Sequence, residues 1–247
     1  MAIKRQEPIE TGEVAPSPVS QELVIRKAER KQAKIRLGIC GTAGTGKTYG
    51  ALLVASGLGK KILLVDTENG SGDLYAKVVN YDVLPLTAPY TVEKYIRAME
   101  LAEENNYDVV ILDSISPAWA GTGGLLERQN FAAKRTGNSY VAWSEITPLH
   151  SKMVEKMLTI KTHLIATMRS KPEYVIDKSA DGRTSVRKIG LAPQQREGLD
   201  HEFTIVFDVD SGHMAFASKD RTSLFDGQSI KLSEDVGKQI LKWLDEK

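Results

Sequence analysis

The stretch GTAGTGKT, Gly41 to Thr48, constrains this chain more than any other. It fits Gly-x-x-x-x-Gly-Lys-Thr, follows the apolar run IRLGIC and precedes YGALLVASGL. That strand–loop–helix context is what a phosphate-cradling loop requires. Its glycines let the backbone wrap closely and aim N–H groups at phosphate oxygens. The following helix adds its positive end. Lys47 supplies a mobile charge for the β- and γ-phosphates, and Thr48 offers a hydroxyl to Mg²⁺. The candidate nucleotide contacts are Gly41, Thr42, Ala43, Gly44, Thr45, Gly46, Lys47, Thr48 and the adjoining Tyr49.

Beyond residue 35 the pattern alternates between strand and helix. IRLGIC is a strand, Lys47 to Leu58 a helix, and KKILLVD a second strand, near-continuously apolar as befits a strand covered on both faces. Thr91 to Asn106 forms a helix with apolar positions at Tyr95, Met99 and Ala102. YDVVILD is a third strand, and THLIATM, after a helix containing HSKMVEKMLTI, a fourth. Such alternation predicts an α/β fold with a mainly parallel twisted sheet flanked by helices. FTIVFDVD and HMAFAS, separated by Ser211 and Gly212, read as an antiparallel hairpin added near the C-terminus. A closing helix begins at Ser233, which can cap it, with Val236, Ile240 and Leu244 as its apolar stripe. Two parts are expected: a tail and short basic helix over 1–34, and one large α/β domain over 35–247 that includes the closing C-terminal helix. Residues 1–20, with Pro8, Pro16 and Pro18, are expected to be disordered. QELVIRKAERKQAK, residues 21–34, is either a solvated basic helix or a contact with a neighbouring subunit or nucleic acid.

The formal net charge of +1 excludes a wholesale polycation, so any nucleic-acid contact must come from a local patch. The single cysteine, Cys40, cannot form an internal disulfide and reads as a small buried strand residue. No apolar run approaches a membrane span, and the N-terminus lacks a signal-type apolar core. A cytoplasmic protein without a membrane partner is expected.

Three carboxylates stand at strand ends. Asp113 ends YDVVILD and can serve the Mg²⁺ site, or else cap the next turn. Glu68, just past KKILLVD, lies where open α/β sheets place ligands and can take a proton from attacking water. Asp66 is its rival, but is closer to the strand and is expected to be tied up in hydrogen bonds. After HMAFAS, Lys219 and Arg221 are two apart on an extended segment and point to one side. Two basic segments remain. GTGGLLERQNFAAKRTGNSYVAW carries Lys134 and Arg135. RSKPEYVIDKSADGRTSVRKIGLAPQQREG carries Arg169, Lys171, Lys178, Arg183, Arg187, Lys188 and Arg196, with Tyr174 among them. Flexible basic segments with an aromatic suit single-stranded nucleic acid; a surface β-hairpin with ordinary charges is the alternative.

In order, IRLGICGTAGTGKT, LLVDTENGSGDLY, VVILDSIS and LIATMRSK resemble the nucleotide-binding core of RecA-type recombinases over about residues 35–222. The whole resembles a phage-encoded RecA-like P-loop ATPase of the Sak-type single-strand annealing group. That resemblance implies ATP and Mg²⁺ as ligands, Glu68 as catalytic glutamate, Asp113 as metal-site aspartate, Tyr75 on the adenine and Thr167 near the γ-phosphate sensor. Lys219 and Arg221 resemble a Lys-x-Arg pair that reaches the next subunit's γ-phosphate, which implies a ring or filament; two solvated charges are the other reading. The resemblance also places DNA-contacting loops at the two basic segments, implying single-stranded DNA as partner, beside a single-strand-binding protein, and the host-cell cytoplasm as location. A nucleotide-switched scaffold or packaging protein and a P-loop kinase are the competing functions. Glu68 points to water rather than a small acceptor as nucleophile.

Overall fold

In the computed structural model the predicted elements take their places around one sheet. The structure describes residue 25, residues 33–178 and residues 184–246. The expected N-terminal tail and basic helix lie almost wholly outside the described residues. The first strand is β1 (Arg36–Gly41), followed by α1 (Lys47–Leu58), β2 (Ile62–Asp66), β3 (Asp82–Pro85), α2 (Val92–Glu104) and β4 (Val109–Asp113). Three helices come next, α3 (Ser116–Ala120), α4 (Leu125–Thr136) and α5 (Ser139–Thr159). Then come β5 (His163–Lys178), β6 (Thr184–Pro193), β7 (Ile205–Val209), β8 (Ala215–Asp220), β9 (Ser229–Ile230) and α6 (Glu234–Asp245). Among the described residues no helix is long and apolar enough to cross a membrane.

The strand order is β3-β2-β4-β5-β1-β7-β8-β9, with β6 paired to β5. Pairs from β3 through β7 are parallel, while β7–β8, β8–β9 and β5–β6 are antiparallel. This is the expected RecA-like P-loop α/β fold. β5 stands between the loop-bearing strand β1 and the Asp113-bearing strand β4.

Strand alternation divides the core. Leu63, Val65, Val110, Leu112, Leu164, Ala166 and Met168 pack on one face with Tyr95, Ala98 and Met99 of α2 and Met153 and Met157 of α5. Ile62, Leu64, Val109, Ile111 and Ile165 pack on the other with Leu52, Val54 and Leu58 of α1 and Ile240 and Leu244 of α6. The period of two explains why β2 and β4 read as continuously apolar: both of their faces are covered. Cys40 is fully buried, as expected. The helices α1 and α6 cross where Gly57 meets Gly237: a Cβ on Gly237 would stand 2.1 Å from the Val54 carbonyl oxygen. Ser233 occupies the N-cap of α6 but makes no side-chain capping bond, a correction to its expected role; Glu234 and Asp235 in the first turn complement the helix dipole instead.

Three further segments add to the sequence reading. Lys134 and Arg135 do not lie in a flexible loop: they form the last turn of α4, where cations suit the helix C-terminus. Arg135 also reaches Glu145 of α5 at 2.5 Å. The second basic segment takes the backbone of the alternative given for it, a long hairpin of β5 with β6, paired from Ser170↔Pro193 to Lys178↔Thr184 with an irregularity between Glu173 and Tyr174. Finally, β3 was not anticipated; it is a four-residue edge strand without a buried face.

Two buried histidines, His163 near β1 and His150 on α5, contribute to the acid response. Arg36 donates to the carbonyls of Leu158 at 3.0 Å, Thr162 at 2.9 Å and Ile35 at 3.1 Å, closing the C-terminal end of α5. Burial lowers its pKa to about 10, partly opposed by Glu103. His163 Nδ1 accepts from the Ile35 N–H at 3.2 Å, so the ring must be neutral. Burial, with Lys34 and Arg36 nearby, pushes its pKa down to about 4; burial and Arg196 do the same to His150. A depressed folded-state pKa gives stability that is full above the ordinary value of 6.5 and lost as pH falls toward 4. The histidine contribution to unfolding free energy should therefore be flat above pH ~6.5 and fall below it by about 1.4 kcal/mol per pH unit for each histidine that takes up a proton in the unfolded chain. Urea titrations across this range should show a shallower fall in His163→Asn, whose side-chain oxygen stands in for Nδ1. Equal slopes in the two proteins would remove His163 from the explanation.

Candidate functional site

The alternation that builds the core also builds the site. On β2, β4 and β5 the residues facing α1 are Leu64, Ile111 and Ile165. One further step of two along each strand gives Asp66, Asp113 and Thr167, and Arg169 follows on β5. All four therefore stand at the carboxyl ends of parallel strands, on the side where the loop Gly41–Lys47 enters α1.

That loop has the geometry its sequence calls for. Gly44 and Gly46 have φ of 81° and 85°, a region L side chains rarely adopt. At Gly41 a Cβ would lie 2.5 Å from Thr45 Oγ1 and 2.8 Å from the Val209 carbonyl, so only glycine fits. The N-terminus of α1 has no side-chain cap and no acidic residue in its first turn, leaving its positive end available to an anion. Lys47 Nζ donates to the Thr42 carbonyl at 2.8 Å. Burial lowers its pKa, and Arg169 adds to the effect, while Asp113 and Glu68 oppose it. These four charged groups are thus near neighbours.

Asp113 is buried, and its two oxygens are held by different hydroxyls. Thr48 Oγ1 donates to Oδ2 at 2.6 Å, and Thr167 Oγ1 donates to Oδ1. Burial raises the Asp113 pKa, against the two hydroxyl donors, with Glu68 and Asp66 reinforcing the rise. Thr67 joins the ends of β2 and β4: its N–H and hydroxyl donate to the Asp113 carbonyl at 2.9 and 3.1 Å, and its hydroxyl accepts from the Ser114 N–H at 2.9 Å. The Asp113–Ser114 peptide bond is cis.

Asp66 and Glu68 have different employments. Asp66 is buried and accepts from the N–H groups of Glu68 at 2.6 Å, Gly70 at 2.7 Å and Gly72 at 3.4 Å. Its carboxylate organises the loop, as expected of the rival. Glu68 points into the cleft, and its Oε1 meets Arg169 Nη2 at 2.6 Å.

The cleft holds about 890 Å³ and is lined by Lys47, Thr48, Glu68, Asp113 and Arg169. Tyr49 and Tyr75 line it further out, with ring centroids 5.8 Å apart and planes tilted by 60°. The Tyr81 hydroxyl donates to the Gly72 carbonyl and steadies the 3₁₀ turn Ser71–Tyr75 that carries Tyr75. The tip of the β7–β8 hairpin closes the site: His213 Nδ1 lies 3.0 Å from the Thr45 carbonyl oxygen. Lys231, just after β9, also lines the cleft.

Several expected site residues are placed elsewhere or act differently. Thr167, expected near the γ-phosphate, is fully buried, and its hydroxyl is committed to Asp113. Arg169, assigned above to a basic DNA loop, stands instead in the cleft. The signal for this was available, since residues two apart on a strand share a face. Lys219 and Arg221 lie at the end of β8, where a bulge between Val206 and Phe207 on the partner strand shifts the register. Both side chains donate to the His201 carbonyl, Arg221 at 3.1 Å, so they do turn to one side. Lys171 is exposed at the base of the β5–β6 hairpin, Arg187 and Lys188 belong to β6, and Arg183 lies outside the described residues. His213 and Lys231 carried no motif and were missed.

Comparison with known proteins adds the following. A family model described as an AAA domain matches residues 33–235. No curated protein matches the chain. Among solved structures it is similar to a KaiC-like protein from the hyperthermophilic archaeon Pyrococcus horikoshii OT3, with 15% identity over 79% of this chain and 83% of that chain, at a TM-score of 0.44.

Proposed function

The chain belongs to the AAA domain family, and on that premise we propose that it is a Mg²⁺-dependent ATPase that oligomerises and acts on single-stranded DNA in phage recombination or annealing. The observation that carries the ATPase reading is the convergence of Lys47, Thr48, Glu68 and Asp113 on one cleft. The loop and the open end of α1 hold the phosphates, and Lys47 leaves the Thr42 carbonyl for them. The Thr48 hydroxyl and the Asp113 carboxylate would hold Mg²⁺, which neutralises phosphate charge as it develops. Among the described residues no cluster of three His, Cys, Asp or Glu side chains is placed to hold a metal alone. Glu68 takes the proton of the attacking water, and Tyr49 and Tyr75 receive the adenine.

The DNA reading rests on continuity. β5 carries Thr167 and Arg169 at the cleft and runs on to Lys178 as one arm of the basic hairpin. The sequence there concentrates Lys171, Lys178, Arg183, Arg187 and Lys188 in a chain whose net charge is only +1. Lys219 and Arg221 complete a neighbouring subunit's site in a ring or filament, and a single-strand-binding protein works beside it in the host cytoplasm.

Fluorescence anisotropy of a labelled oligonucleotide tests this. Binding should tighten with a non-hydrolysable ATP analogue and weaken with salt, because each neutralised phosphate releases a counterion. Replacing Arg183, Arg187 and Lys188 together by Ala should weaken binding and flatten the salt slope. Absence of nucleotide-dependent binding at low salt would reject the DNA reading in favour of a nucleotide-switched scaffold.

A further inference from the structure

The turn between β7 and β8 sets a histidine against the phosphate loop. β7 runs parallel to β1 and brings the Val209 carbonyl beside Gly41. The chain then reverses over residues 210–214. The Asp210 side chain accepts from the N–H groups of Gly212 at 2.8 Å and Met214 at 2.9 Å, and its carbonyl accepts from the His213 N–H at 3.1 Å. His213 has φ of 61°, a backbone that glycine adopts freely and histidine uncommonly. A large ring is thus kept at a strained position, which points to use of the side chain rather than to chain reversal alone. Its Nδ1 lies 3.0 Å from the Thr45 carbonyl oxygen.

A carbonyl only accepts, so Nδ1 carries the hydrogen in this contact. The ring also covers Gly46, where a Cβ would stand 3.3 Å from Nδ1. The loop's other ties are its own: the Thr42 carbonyl accepts from Thr45 Oγ1 at 3.0 Å and from Lys47 Nζ at 2.8 Å. His213 reaches it from 168 residues further along the chain. In the reaction proposed above Lys47 leaves its carbonyl for phosphate, whereas the His213 bond has no such competitor. The Thr45–Gly46 peptide is trans, so its N–H points opposite to the carbonyl that His213 holds. Gly46 lines the cleft, and among the described residues its N–H has no acceptor.

We propose that His213 is a positioning residue of the phosphate loop: by holding the Thr45 carbonyl it sets the plane of the Thr45–Gly46 peptide and aims the Gly46 N–H at a bound phosphate. This rests on the nucleotide-binding reading above and adds to it a residue that lies outside the loop motif. A planar peptide turns as a unit, so fixing the oxygen fixes the hydrogen opposite it. The amide is oriented before the ligand arrives, and its rotation need not be stopped on binding. Backbone N–H groups of such a loop cradle the α- and β-phosphates. The effect of His213 therefore falls equally on triphosphate and diphosphate and does not depend on the base.

The test measures the affinity of the full chain for three ligands, each with Mg²⁺, by competition against a fluorescent nucleotide. They are a non-hydrolysable ATP analogue, ADP, and inorganic pyrophosphate, which carries no base. His213→Gly removes the donor and keeps the turn, since glycine takes this φ without strain. His213→Asn keeps both, since asparagine tolerates this backbone and its amide N–H stands in for Nδ1. All three affinities should fall about tenfold in His213→Gly, the order of one hydrogen bond to a charged group, and by a common factor. His213→Asn should recover most of the loss. Thermal melts of the nucleotide-free proteins confirm folding, and His213→Ala serves as the donor-free variant if His213→Gly is not folded. Unchanged affinities in a folded donor-free variant, a loss that His213→Asn does not recover, or a loss seen with the two nucleotides and absent with pyrophosphate would each overturn the proposal. Wild-type protein that binds none of the three ligands would overturn the nucleotide reading beneath it as well.

Discussion

Lys47→Ala is expected to lose nucleotide binding and turnover together, whereas Glu68→Gln keeps binding and loses turnover by about 10²–10⁴-fold, the range of a general base. The difference follows from when each group acts. Lys47 lies on the phosphate loop and contacts the ground state, so its loss removes binding common to substrate and transition state. In the proposed reaction Glu68 acts on water, and the amide in its place retains size and polarity but cannot take a proton. Equilibrium nucleotide binding and steady-state phosphate release measure the two effects. Wild-type turnover in Glu68→Gln would reject the base role. Asp66 would be a poor substitute, because its oxygens already accept three backbone N–H groups that shape the loop.

Arg221→Ala should lower turnover by about 10³–10⁵-fold, the effect of an arginine finger, with ATP affinity nearly intact. Lys219 and Arg221 share the His201 carbonyl. Asp220 fixes the turn that follows by accepting from the N–H groups of Thr222 at 2.7 Å and Phe225 at 2.8 Å. The arginine is therefore presented from a braced turn rather than from a loose end. Mixing Arg221→Ala with Lys47→Ala separates a finger acting between subunits from one acting within its own chain. The first variant keeps a phosphate loop, the second keeps a finger, and a mixed assembly places the two together. Restored turnover is the expected result. No restoration at any ratio, with co-assembly verified, would reduce the pair to surface charge.

What the sequence disclosed, and what it hid, follows from how each signal arises. The phosphate loop and α1 were legible to the residue, because glycine spacing and a strand–helix flank are local properties. That Asp66 would be tied up in hydrogen bonds was legible too, since a residue at the strand end is near enough to bond the loop's own N–H groups. The helices α3 and α4 were not. GTGG looked flexible, yet Gly123 has φ of 76° and a Cβ on Gly124 would stand 2.7 Å from the Pro117 carbonyl. Those glycines allow a tight turn to pack, which composition alone does not separate from mobility. Lys134 and Arg135 were read as loop residues because their helix, and the Glu145 partner of Arg135, come from tertiary structure. β3 escaped because a short edge strand carries little alternation. The arrival of His213 against the loop depends on the β7–β8 hairpin folding back beside β1, a long-range fact with no local sign.

Steady-state ATP turnover of the full chain, with Mg²⁺ and with or without single-stranded oligonucleotide, bears most directly on what this cleft is for. The expected result is slow turnover alone, a several-fold rise with oligonucleotide, and loss of both in Glu68→Gln. Absence of turnover under either condition would contradict the ATPase assignment, and turnover indifferent to oligonucleotide would contradict its coupling to DNA.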